Sequence, residues 1–181
     1  MTVSSTVLER LATGVRDVPD YPSPGVLFKD ITPLLADPEL FAASVEALAA
    51  AHRPGNGAEV DVVAGVEARG FIFGAAVALT LGVGFVPIRK QGKLPSTTVS
   101  AEYTLEYGSA VIEMHEDAVR PGQRVLLLDD VLATGGTAEA AAGLLERVGA
   151  EVVAVSFLIE LGFLNGRDRL SGRDVKSLLN Y

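Results

Sequence analysis

Short apolar runs alternate with segments of helical periodicity along most of the chain, and this alternation is the first indication of the fold. The apolar runs have the length of buried strands and occupy residues 60–66, 84–88, 125–128 and 152–159. Apolar residues recur every three or four positions in 4–15, 71–81 and 137–148, which predicts amphipathic or buried helices there. Repeated strand–helix units predict an α/β fold with a mostly parallel central sheet that helices flank on both faces.

Two stretches depart from this rhythm. Prolines and a glycine between residues 19 and 25 predict an irregular segment that ends in the apolar run 26–31. Asp37 followed by Pro38 then predicts the cap and first position of a helix. Between residues 92 and 119, segments of β character at 97–103 and 110–114 flank the sequence TLEYG. This pattern predicts a flexible hairpin or loop that projects from the sheet, and such loops often close over ligands.

Composition narrows the classes of protein. At 181 residues, with 49% apolar and 21% charged residues, the chain is expected to form one domain over residues 1–181. The absence of cysteine excludes disulfides, thiolate zinc sites and a cysteine nucleophile. A net charge of −8 argues against a nucleic-acid partner. No apolar stretch is long enough to span a membrane and the N-terminus has no export-signal pattern, so we expect a cytoplasmic protein without a membrane partner.

The strongest chemical signal lies in residues 125–137, VLLLDDVLATGGT. A buried strand ends in Asp129 and Asp130, and a turn from Thr134 to Thr137 leads into a helix, at the sheet edge where α/β folds place ligands. Backbone N–H groups of such a turn can cradle a phosphate, and paired carboxylates can hold a sugar diol or a cation. Alone, the aspartates could equally serve capping and solvation. The sequence contains neither a P-loop nor a dinucleotide-binding glycine pattern.

This combination resembles the phosphoribosyl-pyrophosphate (PRPP) signature of the type I phosphoribosyltransferases. Four further segments, in order along the chain, are similar to the adenine phosphoribosyltransferase family: the base-binding hood at 21–31, the pyrophosphate loop at 65–71, and residues 88–95 and 103–108. The resemblance implies the type I fold, with a small N-terminal hood over about residues 1–35 and a loop or hairpin over the active site. Lys29 stands where some members carry arginine, and Glu67-Ala68 replaces an Asp-Ser pair.

The resemblance also implies a reaction, in which the 5-phosphoribosyl group of PRPP passes to adenine and yields AMP and pyrophosphate. Its transition state resembles an oxocarbenium ion, so catalysis requires positioning and charge stabilisation rather than a covalent nucleophile. Mg²⁺ is the expected cofactor, held mainly by PRPP without a dedicated protein site. A homodimer is implied because some cations of the family reach the neighbouring subunit's active site.

Site roles follow from the same matches. The residues expected to hold the 5′-phosphate share the turn after the aspartates: Ala133, Thr134, Gly135, Gly136 and Thr137. The residues expected around pyrophosphate line the arginine turn or carry cations: Glu67, Ala68, Arg69, Arg89, Lys90 and Lys93. The last three could instead form a solvated basic turn. Those expected to bind adenine are Leu27, Phe28 and Lys29, with Phe28 stacking on the purine and backbone near Leu27 reading its edge. Without the family match, Phe28 would be assigned to the core.

The expected catalytic residues are Arg69, Asp129, Asp130 and Glu106. The aspartates engage the ribose hydroxyls and favour positive charge at the anomeric carbon. Glu106 would help adenine lose its ring proton, although a solvated loop glutamate is an equal alternative, and Tyr107 would help close the loop. Three other functions remain open: transfer to hypoxanthine, guanine or xanthine; a PRPP-sensing regulator without catalysis; and a generic nucleotide-binding α/β protein.

Overall fold

The computed structural model describes residues 3–53, 55, 59–104 and 109–181. Within this part of the chain the helices are α1 (Ser5–Thr13), α2 (Thr32–Ala36), α3 (Pro38–Ala50), α4 (Arg69–Leu81) and α5 (Gly136–Arg147). The strands are β1 (Arg16–Pro19), β2 (Leu27–Asp30), β3 (Val62–Val66), β4 (Gly84–Lys90), β5 (Thr98–Thr104), β6 (Ser109–His115), β7 (Arg124–Leu132), β8 (Glu151–Glu160) and β9 (Val175–Asn180). Two 3₁₀ turns, Gly162–Leu164 and Gly166–Leu170, precede β9.

The central sheet has seven strands in the order β5-β6-β4-β3-β7-β8-β9. Strands β4, β3, β7, β8 and β9 run parallel to one another, whereas β6 is antiparallel to both β4 and β5. The predicted mostly parallel sheet is therefore confirmed. The β segments predicted at 97–103 and 110–114 are β5 and β6, which belong to the sheet as its antiparallel edge, and the loop predicted between them lies at residues outside the described part of the chain. Two residue pairs, Arg89 with Glu113 and Lys90 with Ile112, join this antiparallel pair to β4.

Alternation of side chains along the strands divides the apolar core into two layers. In β7, Val125 and Leu127 pack toward α5, whereas Leu126 and Leu128 pack with the helices of the other face, which include α3 and α4. Both sets of side chains are buried. A strand covered on both faces must be apolar at consecutive positions, which explains why these runs were recognisable in the sequence.

The capped start of α3 is also confirmed. Asp37 Oδ1 accepts hydrogen bonds from the backbone N–H groups of Glu39 at 2.9 Å and Leu40 at 3.0 Å, and Pro38 occupies the first helical position. No described helix combines the length and apolarity that crossing a membrane requires.

Parts of the fold differ from the sequence-based expectation. The irregular stretch predicted at 19–25 is confirmed as the connection between β1 and β2, but these two flanking strands were not predicted; they form a separate antiparallel sheet in which Val18 pairs with Phe28. These strands are largely exposed or half-buried and show no apolar alternation. Strand β7 continues past both aspartates to Leu132, because β8 supplies backbone partners as far as Glu160. Helix α2 and strand β9 were not predicted.

Candidate active site

A cleft of about 500 Å³ lies at the carboxyl ends of the parallel strands β3 and β7, beneath the β1–β2 sheet. Most of its lining comes from β2, the turn after β3, the end of β7 and the turn that leads into α5, and one residue each comes from β5 and from the position after β8. Most of the residues expected at the site line this cleft, namely Leu27, Phe28, Lys29, Glu67, Ala68, Arg69, Asp129, Asp130, Ala133 and Thr137. Segments distant in sequence therefore meet at one sheet edge, where doubly wound folds hold ligands.

The turn before α5 opens a smaller cavity of about 70 Å³ that shares Asp129, Ala133 and Thr137 with the main cleft. Thr134, Gly135 and Gly136 line this smaller cavity. Gly135 has φ +83° and stands immediately before the first residue of α5. Since the first N–H groups of a helix lack intrahelical acceptors, they are available to an anion at this point.

Gly166, which was not predicted as a site residue, supports this turn. A Cβ atom on Gly135 would collide with the carbonyl oxygen of Gly166, and a Cβ atom on Gly166 would collide with the carbonyl oxygen of Ala133. The two glycines therefore allow the 3₁₀ turn at Gly166–Leu170 to pack directly on the backbone of the phosphate turn. This contact joins remote parts of the chain, and the sequence around Gly166 contains no pattern that would have predicted it.

Asp129 and Asp130 occupy neighbouring positions near the end of β7. Asp130 is 4% exposed, and Asp129 is half-buried with its Oδ1 accepting the Asp130 backbone N–H at 2.9 Å. Burial raises the pKa of Asp129 well above its ordinary value, and the charge of Asp130 raises it further. Burial also raises the pKa of Asp130, which the positive charge of Arg69 opposes. The carboxylates are thus held at a cost that a cation or hydroxyl donors would offset.

Arg69 connects this acidic pair to the β1–β2 sheet. Its Nε lies 2.6 Å from Asp130 Oδ2 in an ion pair, and its Cζ lies 5.3 Å from the centroid of the Phe28 ring. Gly70, which follows it, has no Cβ; such an atom would lie 2.7 Å from Asp129 Oδ1. The first turn of α4 can therefore approach β7 closely enough to bring the guanidinium over the aspartates.

The Phe28 ring stands between two aromatic or cationic neighbours. Tyr21 packs edge-to-face against it with the ring centroids 5.2 Å apart, and Arg69 lies on it as described. Leu27 is 46% exposed beside it. Within the described residues β2 pairs only with β1, so its second edge has unpaired backbone groups that a ligand could contact.

The Lys29 ammonium has partners of its own. Its Nζ lies 2.6 Å from Asp17 Oδ1 and 3.8 Å from the centroid of the Tyr181 ring, and the side chain is 9% exposed. These contacts attach β2 to β1 and to the end of β9. Lys29 lines the cleft, but its charge is directed to these partners.

The basic loop, defined as residues 89–94, does not line the described cleft. Glu67 Oε2 accepts a hydrogen bond from the Lys90 backbone N–H at 3.0 Å and one from Arg89 Nε at 3.3 Å. Arg89 Nη1 also donates to the carbonyl oxygen of Lys93 at 3.1 Å. The Arg89 guanidinium is thus directed to Glu67 and the Lys93 carbonyl oxygen, and none of the three predicted cations lines the cleft.

Glu106 and Tyr107 lie outside the described residues. Tyr103, on strand β5 leading toward them, lines the cleft, as do Val131 and Leu161, and none of these three was predicted as a site residue. Leu161 directly follows β8, so the rule that ligands bind beyond the carboxyl ends of parallel strands could have identified it. Among the described residues, no group of three or more His, Asp or Glu side chains is arranged to hold a metal ion.

Comparisons with known proteins agree with this arrangement. The family model of the phosphoribosyl transferase domain matches residues 32–177. The adenine phosphoribosyltransferase of Thermobifida fusca is 57% identical over 174 residues, covering 96% of each chain. The crystal structure of that from Thermoanaerobacter pseudethanolicus has TM-score 0.92 and 51% identity, covering 96% of this chain and 99% of that one. That from Saccharomyces cerevisiae, solved with D-DIAB and adenine, has TM-score 0.90 and 40% identity, covering 97% and 99% respectively.

Proposed function

The chain belongs to the phosphoribosyltransferase family, and within it to the adenine phosphoribosyltransferases, and from this premise we propose how its residues perform the transfer. The enzyme moves the 5-phosphoribosyl group of PRPP to adenine and releases AMP and pyrophosphate. The observation that carries the proposal is the single cleft in which a phosphate turn, a carboxylate pair and an aromatic base platform meet. One ligand that combines phosphate, ribose and a purine matches these three features.

PRPP is proposed to bind along the sheet edge. The turn Ala133–Thr137 takes the 5′-phosphate, because helix N–H groups and the Thr134 and Thr137 hydroxyls converge there. The carboxylates of Asp129 and Asp130 accept hydrogen bonds from the ribose hydroxyls. Their negative charge then favours the positive charge that develops at the anomeric carbon as the leaving group departs.

The pyrophosphate is proposed to leave toward Arg69 and the turn Glu67–Ala68. As the bond between the anomeric carbon and the pyrophosphate oxygen breaks, the electron pair goes to pyrophosphate, and a guanidinium stabilises that charge. In the described structure Arg69 is paired with Asp130, so its charge is already held at the reacting end of the cleft. Arg89, Lys90 and Lys93 do not line this cleft, and their positive charge is assigned below to the pyrophosphate in a second copy's cleft.

Adenine is proposed to stack on Phe28, with backbone groups near Leu27 reading its edge. Adenine presents an amino donor beside a ring acceptor, which a backbone C=O and N–H pair complements. Hypoxanthine reverses this order and would leave both groups unpaired. As N9 of adenine bonds to the anomeric carbon, its proton must leave, and we assign that proton to Glu106 and closure of the loop to Tyr107.

Mg²⁺ fits this site as a partner of PRPP. The carboxylates of Asp129 and Asp130 line the cleft, and carboxylate oxygens are the ligands that Mg²⁺ prefers; Asp130 Oδ2 lies 2.6 Å from Arg69 Nε, so a cation here would compete with that guanidinium or use the other oxygens. Any protein contribution would come from Asp129 and Asp130, directly or through water, while phosphate oxygens supply the other ligands. When bound, the ion would neutralise the charge of the diphosphate.

A homodimer is proposed, and an apolar stripe on α4 supports it. The stripe consists of Ile72, Ala75 and Leu79, which share the exposed face, and Leu79 is 82% exposed. No charged residue follows Arg69 in this helix, and a helix that is apolar all round is ordinarily buried. We also propose that the basic loop serves a second copy's cleft, since it does not line its own.

Sedimentation analysis tests the dimer. We expect the wild type to sediment as a dimer and Leu79→Glu as a monomer, because the new charge would be buried at the interface. Ala42→Glu places the same charge on the exposed side of α3 and is the control. A monomeric wild type with full activity would contradict the assembly.

The reaction itself is tested by incubating the purified protein with PRPP, Mg²⁺ and one purine base at a time. We expect AMP with adenine alone. Nucleotide formation from hypoxanthine or guanine instead would preserve the fold and refute the base assignment, and binding of PRPP without any product would indicate a regulator. We also propose a cytoplasmic location, because PRPP is a polyanion that does not cross a bilayer unaided; cell fractionation tests it.

A further inference from the structure

Glu113 is a buried carboxylate that the proposed reaction does not use. It lies in β6 and is 5% exposed. Its Oε1 accepts a hydrogen bond from the backbone N–H of Gly92 at 3.0 Å and a longer one from that of Leu94 at 3.4 Å. Its Oε2 lies 3.4 Å from the Thr98 hydroxyl, which donates to it. Since an ionised carboxylate is costly to bury, its position in the middle of a strand calls for a function.

The two backbone N–H groups that donate to Glu113, those of Gly92 and Leu94, stand on either side of Lys93. On the opposite side of the peptide chain, the Lys93 carbonyl oxygen accepts a hydrogen bond from Arg89 Nη1 at 3.1 Å. Gly92 has φ +80°, so the chain turns sharply just before Lys93. Lys93 is thus held from both faces, although its own side chain is free to point outward and is exposed.

Arg89 of β4 and Glu113 of β6 are direct partners in the strand pairing. The two side chains that contact the basic loop therefore start from the same position of the sheet. Arg89 reaches Glu67 and the Lys93 carbonyl, whereas Glu113 reaches the N–H groups that flank Lys93. The basic loop is therefore fixed to the sheet by side chains from two strands. Such fixation would favour catalysis by a loop that binds pyrophosphate. Cations that are already held in place need no rearrangement when negative charge develops on the leaving group.

We propose that Glu113 is a positioning residue for the transfer reaction, which fixes the basic loop so that Lys93 meets the pyrophosphate of PRPP. This inference rests on the proposed function, since it assigns Glu113 to the pyrophosphate half of that same reaction. It acts through Lys93 and does not itself touch substrate. A residue needed only to hold the β5–β6 hairpin would instead alter folding and every kinetic constant together.

Steady-state kinetics with varied PRPP test the proposal. Glu113→Ala removes the acceptor, and Glu113→Asp withdraws it by one methylene; each is expected to raise the KM for PRPP about tenfold, as loss of a charge-assisted hydrogen bond does. Glu113→Gln keeps an oxygen for both N–H groups and is expected to restore the wild-type KM. The KM for adenine should stay unchanged in all three. Glu116→Ala removes an exposed glutamate nearby and is the control.

A double-mutant cycle with Lys93→Ala identifies the cation involved. If Glu113 acts through Lys93, the double variant Glu113→Ala/Lys93→Ala has the same KM for PRPP as Lys93→Ala alone. Three outcomes would overturn the proposal. In the first, the double variant raises the KM for PRPP by the product of the two single effects; in the second, the KM for PRPP is unchanged in Glu113→Asp and Glu113→Ala. In the third, the KM values for adenine and PRPP change equally. A wild type that forms no AMP would refute the proposed function instead, so the two failures are distinguishable.

Discussion

Individual residues of the cleft are held in states that cost stability. Burial raises the pKa of both Asp129 and Asp130, so their charged forms are disfavoured in the folded protein relative to the unfolded chain. A carboxyl group with a raised pKa stabilises the folded protein fully only at pH values below its ordinary pKa of 3.8. This contribution to the free energy of unfolding is lost as the pH rises through the pKa of the folded state. At neutral pH the charged carboxylate pair therefore destabilises the fold, and bound substrate would offset that cost.

Asp129→Asn tests this trade-off. We expect the free energy of unfolding at pH 7.5 to increase by on the order of 1 kcal/mol, because a disfavoured charge is removed. The rate of AMP formation should fall at least roughly tenfold, because the ribose loses a charged acceptor. Urea denaturation and a turnover assay measure both effects.

Asp61→Asn provides the opposite case. Hydrogen bonds from Arg124 lower the pKa of Asp61 to about 2, so its charged form is favoured in the folded protein. This substitution should lower the melting temperature and leave turnover unchanged. If Asp129→Asn instead lowered the free energy of unfolding, the protein itself would already stabilise the Asp129 carboxylate without substrate.

His52 makes a second residue-scale prediction, away from the cleft. It is 3% exposed, its Nε2 lies 3.1 Å from Ser156 Oγ, and burial, aided by the charge of Lys176, lowers its pKa from 6.5 to about 4. Between pH 6.5 and 4, His52 is therefore protonated in the unfolded chain but neutral in the folded protein. Stability should fall as the pH drops from 6.5 to 4, by about 3 kcal/mol in total from this residue.

Chemical denaturation at several pH values measures this loss. His52→Gln keeps a polar side chain without a titratable ring, so its stability should depend less steeply on pH between 6.5 and 4 than that of the wild type. Subtracting the two curves removes the contribution of the carboxylates, which titrate in both proteins. Parallel curves would show that His52 is protonated while folded.

At the scale of elements, the phosphate turn is shaped by its neighbour as much as by its own sequence. The 3₁₀ turn Gly166–Leu170 packs on it through two glycines. Behind this contact, Arg167 donates to both carboxylate oxygens of the buried Glu160 at 2.7 Å, which ties the 3₁₀ turn to the end of β8. The turn Ala133–Thr137, which is proposed to hold the 5′-phosphate, is therefore supported by the 3₁₀ turn and, through it, by the end of β8.

Gly166→Ala should disturb this contact without altering any group that touches substrate. The added methyl group would collide with the Ala133 carbonyl oxygen, so we expect a loss of about 1–3 kcal/mol in stability and a higher KM for PRPP. Gly143→Ala in α5 is the control, since a Cβ there meets nothing within 4 Å and alanine favours the helix by about 0.5–1 kcal/mol. Equal melting temperatures for the two variants would contradict the packing argument.

Across the whole molecule, the sequence was informative where one segment determines its own structure. The run Val62–Val66 and the capped start at Asp37 are local patterns, and the structure confirms both. Strands β1 and β9 are half-exposed and carry mixed residues, so their hydrogen-bonded partners define them rather than their composition. Residue types could locate Asp129, Asp130 and Arg69, but not the ion pair between Arg69 and Asp130.

The missed contacts of the site share one property: each joins positions far apart in the chain. Lys29 meets Asp17 and Tyr181, Arg89 meets Glu67, and Gly166 meets the phosphate turn. A single sequence contains the chemical groups but not these pairings, because they exist only once the sheet order is known. Only the structure shows which partner each charged side chain contacts, and hence whether it is directed to the cleft or to another part of the fold.

Helix α4 has a consequence for how the enzyme responds to its own concentration. It begins at Arg69 in the cleft and runs for 13 residues, about 20 Å, with its outward face formed by the apolar stripe. Catalysis and assembly would thus share one rigid element. If a second copy covers the stripe as proposed, activity per molecule should decline on dilution, and substrate that orders Arg69 should reciprocally tighten the association. The amount of protein present would then itself adjust the rate at which each copy works.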